Sequence, residues 1–134
     1  MLKIYTASKM VHGKLWLSWQ SDHAFASKFI FHARWLKHVQ LMTPDTPEQA
    51  REFWQQDEQD VRQADVLLCF ADQGETLRGA LVEVGIAIAN NVPVVIGGLG
   101  DFGTWQWHPG IVSRHVNVAD ALDACLILKP NYKR

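Results

Sequence analysis

Two short runs that are apolar on both faces constrain the fold of this chain more than any other feature. Val66–Phe70 and Val92–Ile96 contain no charged, amide or hydroxyl side chain. A strand with one solvent-exposed face alternates polar and apolar residues, whereas a strand that is buried on both faces is apolar throughout. The residues between the runs, Gly79–Asn90, are small or branched and predict a helix. The chain is therefore expected to form a parallel sheet between two layers of helices.

The rest of the chain continues this alternation of strands and helices. We predict strands at Leu2–Ala7, Trp35–Leu41, Val66–Phe70, Val92–Ile96 and Val112–Val118, and helices at Leu15–Phe25, Pro47–Gln63, Gly79–Asn90 and Ala119–Leu128. This order predicts an α/β, flavodoxin-like fold with about five parallel strands and helices on both faces. Ligands of such sheets bind at the carboxyl ends of strands, so the loops after residues 6, 70 and 96 are expected to carry the chemistry.

Size and charge narrow the classes of function. The 134 residues suit a single domain spanning residues 1–134. Thirteen basic and fourteen acidic side chains leave a net charge of −1, with no basic run for phosphate backbones, so we expect no nucleic-acid partner. The first residues lack the features of a signal peptide, and no long apolar stretch follows, so we expect no membrane association and a cytoplasmic location.

The cysteines and histidines do not predict a metal site. Cys69 and Cys125 do not belong to a CxxC pair, and we interpret both as reduced core residues. The six histidines never recur at the i, i+4 spacing that places two ligands on one helix face. We therefore expect no built-in metal.

Glu83 is an acid on a largely apolar helix face. Ala80, Ile86 and Ala87 share its side of the predicted helix by their spacing. We expect Glu83 in the first helical turn, where the helix dipole favours the ionised carboxylate. The residue is then either a nucleophile or an ordinary first-turn glutamate, and the spacing alone leaves both interpretations open.

Asp57 interrupts a second apolar stripe. Phe53, Asp57, Val61 and Ala64 follow helical spacing, so an acid is expected on the buried face. A buried acid is costly unless it is paired. It is a general acid, a group that orients a polar ligand, or the partner of Arg51 or Arg62 in a salt bridge.

Gly98–Gly103 matches the G-x-G-x-x-G pattern of dinucleotide-binding proteins. The pattern requires a helix directly after it to hold the pyrophosphate, and Thr104–Pro109 is poorly suited to a helix. We therefore do not predict NAD binding in this mode. The chain also lacks a G-x-x-x-x-G-K-[ST] phosphate-binding loop.

The order of these motifs resembles the nucleoside 2-deoxyribosyltransferase family, whose superfamily includes nucleoside 5′-monophosphate N-glycosidases. An aspartate stands eight residues before the Asp65 that opens an apolar strand, and a loop and a G-x-x-x-E-x-G-x-A helix follow. Here these are Asp57, Ala64-Asp65, Asp72, and Gly79 to Ala87, closed by Asn90 to Ile96. With Lys3 to Ser8 as the first strand and loop, the resemblance covers roughly residues 3–97.

The resemblance implies a set of roles. Glu83 would be the nucleophile, Asp57 would assist at the nucleobase, and Tyr5 would orient the nucleophile. No cofactor is implied, and a homo-oligomer is expected because similar enzymes complete their sites with a neighbouring subunit. The substrate is expected to contact Ser8, Lys9, Asp72, Arg78, Gly79 and Trp105.

The chain departs from the transferase pattern at one position. Leu77 stands where transferases often have an aspartate that contacts sugar hydroxyls. Ser8 resembles the serine with which the nucleotide hydrolases contact a 5′-phosphate, and Lys9 and Arg78 are further phosphate donors. The alternative is that these are ordinary solvated loop residues.

We therefore expect cleavage or transfer at the N-glycosidic bond of a nucleoside or nucleotide, preferably a deoxyribosyl one, most similar to a nucleoside 2-deoxyribosyltransferase. The alternatives are a nucleoside 5′-monophosphate N-glycosidase, a TIR-like NAD glycohydrolase and a nucleotide-binding module without catalysis. Tyr5 and one or more tryptophans would enclose the planar base; the candidates are Trp16, Trp54, Trp105 and Trp107. The segment 105–109 is either a pocket rim, an oligomer contact or a cap on the core.

Overall fold

The structure, a computed structural model, describes residues 1–22, 27–38 and 44–128. Its regular elements are β1 (Leu2–Ala7), α1 (Gly13–Ser21), β2 (Phe29–Phe31), α2 (Pro47–Gln63), β3 (Val66–Phe70), α3 (Gly79–Ala89), β4 (Val94–Gly97), β5 (Ile111–His115) and α4 (Val118–Leu126). Short 3₁₀ turns lie at Met10–His12, Arg34–His38 and Thr104–Trp107.

The five strands form one parallel sheet in the order β2-β1-β3-β4-β5. This is the flavodoxin-like order, and it confirms the predicted α/β fold. From β1 the chain moves to β2 at one edge of the sheet, and from β3 it moves through β4 to β5 at the other edge. The order therefore reverses between β1 and β3, and the carboxyl ends of these two strands form the expected ligand crevice.

The strand registers show which helices cover each face. Tyr5 pairs with Leu67 across β1 and β3, and its hydroxyl contacts α3, so this face carries α3 and its neighbour α2. Phe70 points to the opposite face, where its ring meets Trp16 of α1. Gly97, the partner of Phe70 in β4, approaches Ala121 of α4. Helices therefore cover both faces.

The predicted second strand is wrong. Trp35–Leu41 is not a strand in its described part, because Arg34–His38 forms a 3₁₀ turn; residues 39–41 lie outside the described residues. The strand is instead Phe29–Phe31, with both phenylalanines buried and Ile30 exposed. Trp35 packs at the end of the sheet, where its indole N–H donates to the Thr6 carbonyl at 2.8 Å.

The other predicted elements are present with shifted ends. α1 ends at Ser21, and residues 23–25 of its predicted span lie outside the described residues. β4 begins two residues late, and β5 and α4 begin one residue early. Within the described ranges, no helix combines the length and apolarity needed to cross a membrane.

The start of α2 has a side-chain cap. The Thr46 hydroxyl accepts from the Gln49 amide at 3.2 Å, and Pro47 occupies the first turn. The Gln49 side chain reaches back to the Asp45 amide at 2.8 Å, one residue before the cap. These contacts fix the end of the helix that carries Asp57.

The G-x-G-x-x-G segment has a structural role. Gly98 has φ +96°, and a Cβ there would lie 2.0 Å from the Ala71 carbonyl oxygen. A Cβ on Gly100 would lie 2.2 Å from the Ala71 side chain. These glycines let the loop after β4 pack directly on the end of β3. A single 3₁₀ turn follows, which agrees with the prediction that the motif does not open a helix.

Candidate functional site

A cavity of about 280 Å³ lies at the carboxyl ends of β1 and β3, where the strand order reverses. Its walls come from the loop after β1, the loop before α3, the first turns of α3, the middle of α2 and the 3₁₀ turn after β2. The lining residues are Ser8, Lys9, Met10, Trp35, Trp54, Asp57, Thr76, Leu77, Arg78, Gly79, Ala80 and Glu83.

A buried pair of side chains lies at the base of this cavity. The Tyr5 hydroxyl, at the end of β1, donates a hydrogen bond to Oε2 of Glu83 on α3. Tyr5 is fully buried and Glu83 is 7% exposed. Ala80 and Ala87 lie buried beside Glu83, as the helical spacing predicted. The two residues predicted as nucleophile and orienting group are thus in direct contact.

The predicted environment of Glu83 needs a correction. α3 begins at Gly79, so Glu83 lies in the second turn and not in the first. Burial raises the pKa of Glu83 to about 8; the Tyr5 hydrogen bond lowers it and the charge of Asp57 raises it. Desolvation therefore outweighs the helix dipole, because the dipole effect fades beyond the first turn.

Asp57 lies on the cavity wall and is half-buried. The salt bridges considered for it are not formed, since Arg51 pairs with Glu48 and Arg62 pairs with Glu58 on the surface of α2. In the described part of the chain its carboxylate has no hydrogen bond or ion pair. The buried-stripe prediction holds further along the helix, where Val61 and Ala64 are fully buried. Asp57 is thus left open to a ligand.

The neighbouring acid, Asp60, takes the ion pair instead. Its carboxylate accepts from the Arg34 amide at 2.8 Å and from the Arg34 Nε at 3.1 Å. His32 Nε2 lies 2.7 Å from the Asp60 carbonyl oxygen and donates to it. Burial and the charge of Asp60 raise the pKa of Asp57 to about 6, against a lowering by Arg34. The contacts of Asp60 with Arg34 and His32 therefore hold α2 in place, and the charges of Asp60 and Arg34 shift the pKa of Asp57.

Part of the cavity wall is cationic. Lys9 and Arg78 both line it and both are exposed. Within the described ranges the Arg78 guanidinium has no ion pair or hydrogen bond. Gly79 and Ala80 open α3 without a side-chain cap, so their amides face the cavity end of the helix. The Ser8 hydroxyl donates to the Lys9 carbonyl at 3.0 Å, so its proton is already used within its own loop.

A contact between loops joins the two halves of this cationic wall. His12 Nε2 donates to the Glu75 carboxylate, at 2.8 Å from Oε1. Burial alone would raise the pKa of Glu75, but the Asp72 amide and His12 lower it. The loop that carries Lys9 is thereby tied to the loop that carries Arg78.

Aromatic residues form the remaining walls. Trp54 is 40% exposed, and its ring packs over Gly79, where an added Cβ would lie 3.5 Å from the ring edge. An added Cβ would therefore make an ordinary van der Waals contact with that ring. Trp35 also lines the cavity; it was not among the predicted site residues, because the sequence pattern predicts a strand at this position.

Several expected substrate contacts do not line the cavity. Asp72 belongs to a turn, in which its amide donates to Glu75 at 2.7 Å. Trp105 packs edge-on against Phe102, with ring centroids 5.8 Å apart. Trp16 is fully buried in the core, and Trp107 lies exposed under Arg114. Of the four tryptophans expected to enclose a base, only Trp54 therefore contributes to this cavity.

No known protein-family model and no curated protein matches this chain. The resemblance to the deoxyribosyltransferases therefore rests on the motifs quoted above. Among residues 1–22, 27–38 and 44–128, no three His, Cys, Asp or Glu side chains are grouped to hold a metal ion. What the cavity offers is a pair of acids, a cationic wall and aromatic walls.

The raised pKa of Glu83 makes stability depend on pH. Between its ordinary pKa of 4.5 and about 8, folded Glu83 keeps a proton that the unfolded chain releases. The free energy of unfolding then falls with rising pH, by at most about 1.4 kcal/mol per pH unit. Glu83→Gln removes this loss, so the variant gains stability relative to the wild type between pH 5 and pH 8. Urea unfolding at both pH values measures the gain.

The matched control for this experiment is Glu58→Gln, on the exposed surface of α2. Its effect should stay within about 0.5 kcal/mol at both pH values, as is usual for a surface ion pair. An equal difference between Glu83→Gln and wild type at pH 5 and pH 8 would contradict the raised pKa.

Proposed function

We propose that this chain is an N-glycosyl transferase or hydrolase that acts on a (deoxy)nucleoside or nucleotide, most similar in chemistry to a nucleoside 2-deoxyribosyltransferase. The observation that carries the proposal is the Tyr5–Glu83 pair at the base of a cavity whose wall holds a second acid, Asp57, which has no partner among the described residues. Two acids in different environments suit a reaction that needs both a nucleophile and a proton donor.

The first chemical step follows from the roles of these acids. Ionised Glu83 attacks C1′ of the sugar, and its oxygen forms a new bond to that carbon while the bond from C1′ to the base nitrogen breaks. The bonding electrons leave with the base, and protonated Asp57 supplies a proton to it. Tyr5 keeps its proton, because burial and the adjacent Glu83 charge raise its pKa, and it holds the attacking carboxylate in place.

The second step releases the sugar from Glu83. A second base attacks C1′ to give exchange, or water attacks it to give hydrolysis, and the Glu83 carboxylate leaves. Ionised Asp57 takes a proton from the incoming nucleophile. The side chains in the described cavity can serve either outcome, so the acceptor is decided by what enters after the first base departs.

We further propose that the enzyme works as a homo-oligomer in the cytoplasm. α3 exposes an uncharged surface next to the site, made of Leu81, Val82 and Gly85. Such a surface suits contact with a second copy. Cys69 and Cys125 are buried, unpaired thiols, which suit a reducing compartment.

The proposal is tested by incubating the protein with deoxynucleosides and deoxynucleotides, with and without a second free base, and following base release and exchange by chromatography. Exchange supports transfer, and release alone supports hydrolysis. Glu83→Ala should lower either rate by about 10³-fold or more, since it removes the nucleophile. Tyr5→Phe should lower it less, because it removes only the hydrogen bond that holds the carboxylate.

Three results would count against this proposal. Full activity in Glu83→Ala rejects its role. Release of nicotinamide from NAD as the preferred reaction points to a NAD glycohydrolase. Tight nucleotide binding in calorimetry, with no product after long incubation, points to a binding module.

The two acids also predict the pH dependence of the reaction. The reacting form holds one proton, on Asp57, with Glu83 ionised. Below about pH 6 the pair binds a second proton, and above about pH 8 it loses the last one, so kcat/KM should be bell-shaped with a maximum near pH 7.

Asp57→Asn isolates one side of this profile. Only Glu83 then titrates, and its pKa falls below about 8 because the Asp57 charge that raised it is gone. The lower residual rate should therefore rise with pH to a plateau, without an alkaline decline. Steady-state kinetics on wild type and variant between pH 5 and pH 10 measure both profiles. An alkaline decline that persists in Asp57→Asn would show that another group is the acid.

A second candidate, hydrolysis of a nucleoside 5′-monophosphate, is favoured by the cationic wall. Arg78 and Lys9 line the cavity together with Gly79 and Ala80 at the start of α3, and the Arg78 guanidinium lacks a partner in the described chain. A helix N-terminus next to two cations suits a phosphate. Leu77 occupies the position at which a transferase-like aspartate would contact sugar hydroxyls.

Under this second candidate, Arg78→Gln should raise KM for a deoxynucleoside 5′-monophosphate at least about tenfold, since a charged hydrogen bond is lost. KM for the corresponding deoxynucleoside should not change. Arg51→Gln, on the surface of α2 away from the cavity, is the control for loss of one positive charge. Equal KM values for the monophosphate in wild type and Arg78→Gln would exclude this phosphate site.

A further inference from the structure

A second cavity of about 180 Å³ adjoins the first. The two cavities share four lining residues, Met10, Trp35, Trp54 and Asp57. The second cavity adds Pro44, Ala50, Phe53 and Gln56. Asp57 therefore lies where the two cavities meet, and the first cavity reaches Glu83 while the second is mainly apolar.

The walls of the second cavity suit a flat, uncharged group. Ala50, Phe53, Trp54 and Asp57 recur at helical spacing and turn one face of α2 toward it. The Trp35 ring lines the same cavity and is fixed by its hydrogen bond to the Thr6 carbonyl. None of the described residues that line this cavity is cationic, in contrast to the wall formed by Lys9 and Arg78. A phosphate is therefore not expected here, whereas an aromatic ring is well matched.

Gln56 gives this chamber a polar group. Its main-chain carbonyl accepts from Arg34 at 3.3 Å, but its side-chain amide has no hydrogen bond within the described part of the chain. The residue is half-buried, and most of the residues that line the cavity with it are apolar. It presents one donor and one acceptor side by side, which match a ring nitrogen and an adjacent exocyclic group.

We propose that the second cavity is the nucleobase site, in which Trp35 and Trp54 enclose the ring, the Gln56 amide binds its hydrogen-bonding edge, and Asp57 faces the base from the junction with the sugar. This inference rests on the proposed function, because it assigns the leaving group of that reaction. The sugar then occupies the first cavity over Glu83.

The chemistry of an amide defines the class of base. Rotation of the Gln56 amide by half a turn exchanges its donor and acceptor, so amino-substituted and oxo-substituted bases can both bind. A base without an exocyclic group leaves one amide atom unpaired next to apolar walls. The site therefore accepts amino and oxo bases alike and rejects unsubstituted rings.

The test compares 2′-deoxyadenosine with the 2′-deoxyriboside of unsubstituted purine. Wild type should favour deoxyadenosine in kcat/KM by about tenfold or more, the cost of one unpaired polar group. Gln56→Ala should bring the ratio close to one, mainly by slowing deoxyadenosine. Gln55→Ala removes the exposed neighbouring amide on the same helix and should leave the ratio unchanged. Gln56→Leu keeps the side-chain size and should behave as Gln56→Ala does.

A binding measurement separates this inference from the proposed function. Free adenine and free purine are titrated into the Glu83→Ala variant and into Glu83→Ala with Gln56→Ala, and quenching of tryptophan fluorescence is followed. Preference for adenine that is lost with Gln56→Ala supports the base site even where no turnover occurs, and the proposed reaction alone then fails. Turnover in wild type with an unchanged ratio in Gln56→Ala and Gln56→Leu overturns the inference and leaves the reaction standing.

Discussion

The hydrogen bond from Tyr5 to Glu83 is the contact on which the rest of the site depends. A carboxylate among the apolar residues of α3 would be costly to bury without a partner, and Tyr5 is the partner that the fold supplies. This is possible because β1 lies directly beside β3, so the end of β1 comes under the helix that follows β3. The crossover that reverses the strand order thus creates both the crevice and its reactive acid.

Local sequence patterns predicted the strands of this sheet that consist of unbroken runs of apolar residues. The apolar residues of Val66–Phe70 predicted a strand that is buried on both faces. The helical spacing of apolar residues identified Glu83 and Asp57 as acids in apolar surroundings. The prediction of the second strand was wrong because the actual strand, Phe29–Phe31, has only three residues, too few to show a pattern of alternating burial. Trp35 was misassigned because its place is decided by a hydrogen bond to a distant main-chain carbonyl, which propensity does not encode.

Adjacent acids on one helix show why the site itself was only partly predictable. Asp57 and Asp60 lie within one turn of α2, and both could face inward. The structure distinguishes them through Arg34, which reaches Asp60 from 26 residues earlier in the chain and leaves Asp57 without an ion pair in the described residues. The raised pKa of Glu83 could not be predicted from the sequence either, because desolvation depends on how completely β1 and α3 enclose its carboxylate.

The charge of Asp57 acts on Glu83 across the cavity that both residues line. Asp57 raises the pKa of Glu83, so near neutral pH the resting pair holds its proton on Glu83, with Asp57 ionised. Under the proposed reaction this arrangement must invert. Positive charge that develops at C1′ stabilises ionised Glu83, and negative charge that develops on the departing base stabilises protonated Asp57. The substrate's own charge separation would then move the proton to the acid that has to donate it, so the pair favours the reactive arrangement only when a nucleoside lies between its members.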